Sequence, residues 1–549
     1  MPLDTLITGR IATLVGDRGF GWVEAIGIRD GRVAFAGSEV ALETRADPFT
    51  ERIALGPEVV ALPGLTDAHL HLAGSAVAAH QVDLSDAATI EDGMARVRAA
   101  HVALTDPSAW LQGRGWDPDR WGRWPAAADL DQVAPGRRCA LWAHDHHALL
   151  ASHAALAAAG IHRDTADPAG GVIRRDGDGE PTGVLLEGAS GLVTVHIPPL
   201  SVGELEIALV EVAHELLALG VVAVHDPGWV VPDSDLGWSF AAYAHLAETG
   251  RLPLRVLASL RPESLETALE RGLRSGAILG GDPGGRARVG WQKCFADGSL
   301  GSRTAALLAD IEPEPDRPLP PDQRRGVWNT EPERLRELVE RAAAGGITSQ
   351  IHAIGDAAVR AALDVLEPTA RTGPFMPRVE HAQLLDPADR GRFAAAGIAV
   401  SVQPVHLGSD AAQARRLWGA RAESSGYTWA SIAATGAVLA FGTDAPVESF
   451  DPWPGIALAV CREDPRWPAG TQPFGAHEAL PLARAIRSAC LDPALTARET
   501  DRGRLTVGQR ADLVVIPLAA VVEPIEPGGA LATTRPSMVV MDGRVVFEV

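Results

Sequence analysis

Lys293 is the only lysine in a chain of 549 residues, so 48 of its 49 Lys and Arg side chains are arginine. Arginine serves wherever a permanent positive charge is enough, but a guanidinium stays protonated, whereas a desolvated lysine amine can lose its proton and react. One such reaction is addition to carbon dioxide, which gives a carbamate whose two oxygens can bridge two metal ions. The neighbours of Lys293, from Val289 to Gly298, read as an apolar strand closed by a turn, a poor setting for an ordinary surface lysine.

Far upstream stands Thr66-Asp67-Ala68-His69-Leu70-His71. Two histidines at i and i+2 of a strand point to one face, so both imidazoles can reach one metal ion. Further ligand types close later strand-like runs: His352 after Ser349-Gln350-Ile351, His381 after Val379-Glu380, and Asp444 after Phe441-Gly442-Thr443. This mix of nitrogen and carboxylate donors suits zinc or a similar divalent ion, one or two in number.

These residues need a scaffold that brings strand ends together. Between residues 61 and 499, strand-like runs alternate with amphipathic helices, and repeated βα units imply a parallel sheet. Asp356, followed by Ala357, Ala358, Ala361, Ala362 and Val365, reads as the N-cap of one such helix. Residues 1–60 and 500–549 are short β-like pieces with hairpin signals at Asp30-Gly31 and Asp542-Gly543. Neither end has enough strands to bury a face, so the two are expected to build one small composite β-sandwich. A stretch from about 104 to 199, carrying Trp110, Trp116, Trp121, Trp124 and Trp142, interrupts the βα rhythm and reads as an inserted subdomain. Its tryptophans suit a structural role, with a share left for the substrate pocket.

At 46% hydrophobic and 22% charged, the chain is globular and too long for one compact core. A net charge of −21, with no basic stripe, argues against a nucleic-acid partner. No apolar run is long enough to span a bilayer, and the first residues lack a basic segment followed by an apolar core, so a cytoplasmic location is expected. The four cysteines, Cys139, Cys294, Cys461 and Cys490, have no metal-binding spacing and read as reduced thiols.

The ordered set His69-x-His71, Lys293, His352, His381 and Asp444 resembles the metal centre of the amidohydrolase superfamily. Phe295-Ala296-Asp297-Gly298-Ser299-Leu300-Gly301-Ser302, Val402-Gln403-Pro404-Val405-His406-Leu407, Gly442-Thr443-Asp444-Ala445-Pro446 and Gly508-Gln509-Arg510-Ala511-Asp512 bring it closer to amidohydrolase family 3. This is the YtcJ-like branch, which includes N-substituted formamide deformylase, and the resemblance spans nearly the whole chain. It implies an α/β fold: a (β/α)₈ TIM-like barrel with ligands at the carboxyl ends of its strands. It also implies that His69, His71 and Asp444 hold one ion, His352 and His381 a second, and carbamylated Lys293 both. The implied reaction is cleavage of a non-peptide C–N bond (amide, formamide or cyclic amide) in a small molecule by metal-activated hydroxide, with Asp444 as the catalytic proton carrier.

Candidate substrate contacts are Asp297, His147, His225, Gln403 and His406. His147 aligns with a histidine of the family's insert motif, although Ser152-His153 replaces the usual Asn-Ser. The alternatives are a deaminase of the same superfamily, which would carry a glutamate where Gly355 stands, and a non-catalytic barrel relative, in which ligands should be missing. A homodimer is compatible with the sequence, and no membrane partner is expected.

Overall fold

A computed structural model describes all residues except 1–2, 17–18, 199, 229–235, 237, 282–283, 315–318 and 523. Its centre is a nearly closed barrel of eight parallel strands. In chain order these are β1 (Leu65–Asp67), β2 (Val221–Asp226), β3 (Arg255–Leu260), β4 (Ala287–Phe295), β5 (Ser349–Ala353), β6 (Arg378–His381), β7 (Ala399–Val402) and β8 (Leu439–Phe441). Neighbours in sequence pair in space from β1 to β8, and the seam between β8 and β1 is tied just beyond the strands. There Ala68 N donates to Phe441 O (2.9 Å), Asp444 N to His69 O (2.7 Å) and His71 N to Ala445 O (2.9 Å). Helices cover the outside and the polar filling lies within, so Val221–Asp226 and Arg255–Leu260 are buried on both faces.

The helix after β5 runs Asp356–Leu366 with Gly355, not Asp356, at its N-cap. The Asp356 carboxylate instead accepts the Leu308 amide (2.8 Å). A Cβ on residue 355 would sit 1.9 Å from Ala306 O, so only glycine fits at that cap.

The two chain ends share a second sheet of eight strands, with Thr5–Ala12, Trp22–Arg29, Arg32–Gly37 and Glu51–Ala54 from one side and Leu513–Pro517, Met538–Met541 and Arg544–Glu548 from the other. Val59–Pro63 is the join: it pairs in parallel with the first of these and antiparallel with Leu513–Pro517. Alternation divides its faces. Ala61, Leu513 and Val515 enter a small core of their own, whereas Val60, Leu62, Val514 and Ile516 join the barrel's core. The hairpin turns at Asp30-Gly31 and Asp542-Gly543 all have φ between 50° and 74°, as a two-residue type I′ turn needs.

The inserted subdomain is a six-stranded sheet that starts at Val82, earlier than the expected boundary near 104, and its last strand ends at Glu187. The helix Ile90–Ala103 belongs to it, since Ile90, Met94 and Val97 share a core with Trp116, Trp121 and Leu130. The expected end at residue 199 lies outside the described residues.

Candidate metal centre

Every ligand-type residue read from the sequence lies at or just beyond the carboxyl end of a barrel strand. His69 and His71 follow β1, Lys293 is near the end of β4, His352 and His381 lie in the last turns of β5 and β6, and Asp444 follows β8. The donor atoms of His69, His71 and Asp444 are within 4.8 Å of one another. Asp444 Oδ1 stands 3.4 Å from Nε2 of both histidines. A second such group is His381, His406 and Asp444, with Asp444 Oδ2 3.7 Å from His406 Nε2.

Outer hydrogen bonds orient three of these imidazoles. His71 Nδ1 donates to Gly228 O (3.1 Å), His69 Nδ1 to Glu380 Oε2 (2.6 Å) and His381 Nδ1 to Gln403 Oε1 (2.8 Å). In His69 and His71 it is Nε2 that stands 3.4 Å from Asp444 Oδ1, whereas in His381 it is Nδ1 that comes within 3.9 Å of Asp444 Oδ2. His352 differs. Its Nε2 donates to Gly298 O (3.0 Å), which takes it out of both donor groups, although its ring centre is 4.5 Å from that of His381.

Glu380 was not foreseen. Neighbouring strand residues face opposite sides, so Glu380 and His381 should not both point inward. His381 escapes that rule by leaving extended geometry at φ 71°, and Asp444 does the same at φ 60°. Such backbone is costly for a residue with a Cβ and is retained here where ligand-type side chains must converge. Below Glu380 the barrel is filled by polar groups: Arg378 Nε donates to Glu380 Oε1 (2.9 Å), and Arg378 also bonds Gln350 Oε1 and His225 Nδ1.

Burial and charge set the protonation states. Burial, aided by Lys293, lowers His69 to about 4, and burial holds His352 and His381 well below the usual histidine range. Burial works against the Asp444 carboxylate, yet the surrounding histidines keep it ionised well below its ordinary value. Lys293 is fully buried, its Nζ has no hydrogen-bond partner among the described residues, and burial pulls its pKa down to about 8. Nζ lies 4.7 Å from the centre of the Phe295 ring. Convergent imidazoles, an ionised carboxylate and a buried amine form a donor set that fits a divalent ion.

The centre forms the floor of a cavity of about 620 Å³, roofed by the insert through Trp142, His146 and His147. Of the candidate substrate contacts, His147 lines it and donates from Nδ1 to Glu187 Oε2 (2.8 Å). Burial opposes charge on His147, but Glu187 outweighs it and pushes the ring up to about 9. His406 lines a smaller adjoining pocket. The other three do not line this cavity. Asp297 accepts the amides of Ala306, Ile354 and Gly355 at 2.8–3.0 Å, Gln403 supports His381 from behind, and His225 sits in the barrel filling against Arg378. Asp297 is spent on loop amides that would otherwise lack acceptors, and Gln403 and His225 are spent on other side chains. Trp116 packs within 6.5 Å of Trp121 and 5.8 Å of Trp124, so only Trp142 of these faces the cavity.

Residues 59–547 match the model of the amidohydrolase family, and the chain belongs to that family. It is 31% identical over 540 residues to YtcJ of Bacillus subtilis (strain 168), covering 97% of both chains. It is 26% identical to N-substituted formamide deformylase of Arthrobacter pascens, over 90% of each. Among solved structures, a metal-dependent hydrolase from Pyrococcus horikoshii superposes with a TM-score of 0.72 at 26% identity, covering 93% of this chain and 97% of that one.

Proposed function

We propose that this amidohydrolase hydrolyses a non-peptide C–N bond in a small amide, formamide or cyclic amide. The observation that carries the reading is the convergence of His69, His71, His381 and Asp444 around an unpartnered Lys293 amine on the floor of the cavity. His69, His71 and Asp444 would hold one divalent ion, zinc by donor type, and His381 with His352 or His406 a second. A lysine pulled down to about 8 presents enough neutral amine near pH 7 to add carbon dioxide, and the carbamate would supply bridging oxygens. Bound metal would supply a water of lowered pKa and polarise the scissile carbonyl.

The chain's own residues do the remaining work. Glu380 and Gly228 hold the His69 and His71 imidazoles with Nε2 towards Asp444, and Gln403 anchors His381 through Nδ1. Asp444, kept ionised by its histidines, accepts the proton of the attacking water and passes it to the leaving nitrogen. Trp142, His146 and His147 of the insert add wall to the cavity above the centre. The name of the A. pascens relative, a deformylase, supports C–N cleavage. The absence of space for any side chain at residue 355 speaks against the deaminase alternative, which needs an acid there.

Protein purified without chelators should contain one to two equivalents of divalent metal and turn over members of a panel of N-formyl, N-acyl, carbamate and cyclic-amide compounds. A folded preparation with no stoichiometric metal, or metal-loaded protein inert to the whole panel, would overturn the reading.

A further inference from the structure

Arg261 is the one arginine that lines the cavity above the metal centre. It follows β3, and among the described residues its side chain makes no hydrogen bond and no ion pair. Its Nε is wholly buried without a partner. The other charged groups on the cavity wall are committed. Asp145 accepts from Ser299 Oγ (2.6 Å) and Ser302 Oγ (2.8 Å), and Glu187 accepts from His147, Thr304 and Asn329. Glu263, which also lines the cavity, is exposed and stands outside ion-pair distance of Arg261. The guanidinium is held over the Phe295 ring, 4.4 Å from its centre, and the same ring carries Lys293 Nζ at 4.7 Å. Stacking fixes the plane of the fork and leaves its N–H edge free. The Arg261 side chain also passes beside Gly228, whose carbonyl receives His71 Nδ1, so the fork stands one residue away from the first ligand group.

A half-buried guanidinium with a buried, unsatisfied Nε is costly, and such groups in a binding cavity are satisfied by what binds there. A planar fork of N–H donors matches a carboxylate in bidentate geometry. We propose that Arg261 receives a carboxylate of the substrate. The substrate class is then an amide that bears a carboxylate a few bonds from the scissile C–N bond, such as an N-acyl amino acid or an ω-amido acid. Val77, Val195, Ile197 and Leu200, which also line the cavity, would take an apolar acyl or amine group. The substrate class deepens the proposed hydrolase reading and rests on it, whereas the anion site itself can be tested without turnover.

The binding test is titration calorimetry of metal-loaded protein with glutaramate, which carries one amide and one carboxylate, against glutaramide, which carries two amides. Wild type should bind glutaramate about tenfold or more tightly. Arg261→Gln should bring the ratio to near one at unchanged metal content, and Arg261→Lys, which keeps the charge but not the fork, should retain part of it. Circular dichroism confirms that each variant is folded. Equal binding of the two probes by wild type, or a preference that survives Arg261→Gln, would overturn the inference. So would loss of metal from Arg261→Gln, which would make Arg261 a support for the Lys293 carbamate. Anion preference without hydrolysis of any C–N bond would leave the site standing and remove the proposed activity. Hydrolysis of acidic and neutral amides at equal kcat/KM would do the reverse.

Discussion

Asp444 sits where two groups of imidazoles meet, one carboxylate oxygen towards His69 and His71 and the other towards His381 and His406. Asp444→Asn keeps the shape and one oxygen but removes the proton acceptor, so turnover should fall by about two orders of magnitude or more while the fold survives. Steady-state kinetics with a metal assay checks this, and wild-type turnover would assign the proton to another group. Lys293 gives a second prediction at this scale. Lys293→Arg places a permanent cation where an anionic bridge is required, so it should fail as badly as Lys293→Ala. In the alanine variant, millimolar acetate or propionate should restore part of the metal content and activity. Normal activity in Lys293→Arg would reduce the lysine to a charge. The ligand types were legible because each closes a strand-like run, a pattern that survives in one sequence. Glu380 was not, because its role depends on the left-handed turn of the backbone at His381, which breaks the alternation that a strand reading relies on.

Between elements, the insert is fastened to the barrel by buried charge. His144, just after the insert strand Cys139–Ala143, meets Glu448, beyond β8, with Nε2 and Oε1 3.0 Å apart. Burial opposes ionisation of both, but mutual attraction prevails, raising His144 from 6.5 to about 9 and lowering Glu448 from 4.5 to about 2. A raised histidine stabilises the fold fully below 6.5 and loses that contribution as pH climbs through 9. A depressed glutamate contributes fully above 4.5 and loses it as pH falls towards 2. The pair is therefore worth most between pH 4.5 and 6.5. Glu448→Gln should lower stability by about 1–3 kcal/mol at pH 6, and the gap to wild type should close by about pH 9.5, well past the folded histidine pKa. A series of thermal melts across pH checks the sign, and a gap that widens with pH would refute it. The insert itself was recognised by its tryptophans, but its start was placed too late. Its first strand, Val82–Asp83, is too short to carry any periodicity, and its first helix looks like any helix of the barrel.

At the scale of the whole molecule, the two chain ends close one sheet against the amino-terminal end of the barrel, the end away from the metal centre. The sequence suggested a shared sheet through its hairpin signals and the shortage of strands at either end, but Val59–Pro63 and Leu513–Pro517, apolar throughout, hide that one face serves the sheet's own core and the other the barrel's. Less visible in sequence is the charge that locks this sheet to the barrel. Arg255, the first residue of β3, is buried and bonds both Asp512 oxygens (2.9 and 3.2 Å) and Asp542 Oδ1 (2.5 Å), joining a barrel strand to two turns of the carboxyl-terminal segment. Arg255 lies more than 250 positions from either aspartate, so no local pattern links them and only the folded chain reveals the lock. Asp512 also accepts the Asp542 amide (2.9 Å), so removal of the guanidinium leaves a buried carboxylate facing another across the turn. Arg255→Ala should therefore destabilise by about 3–5 kcal/mol, the range for stripping one partner from a buried ion pair. The metal centre lies at the opposite strand ends, so kcat of the protein that remains folded should stay within about twofold of wild type, as expected for distant, independent sites. Chemical denaturation paired with kinetics on one sample separates the two effects: a stable variant would show that the lock contributes nothing, and a stable but inactive one would couple the terminal sheet to the site.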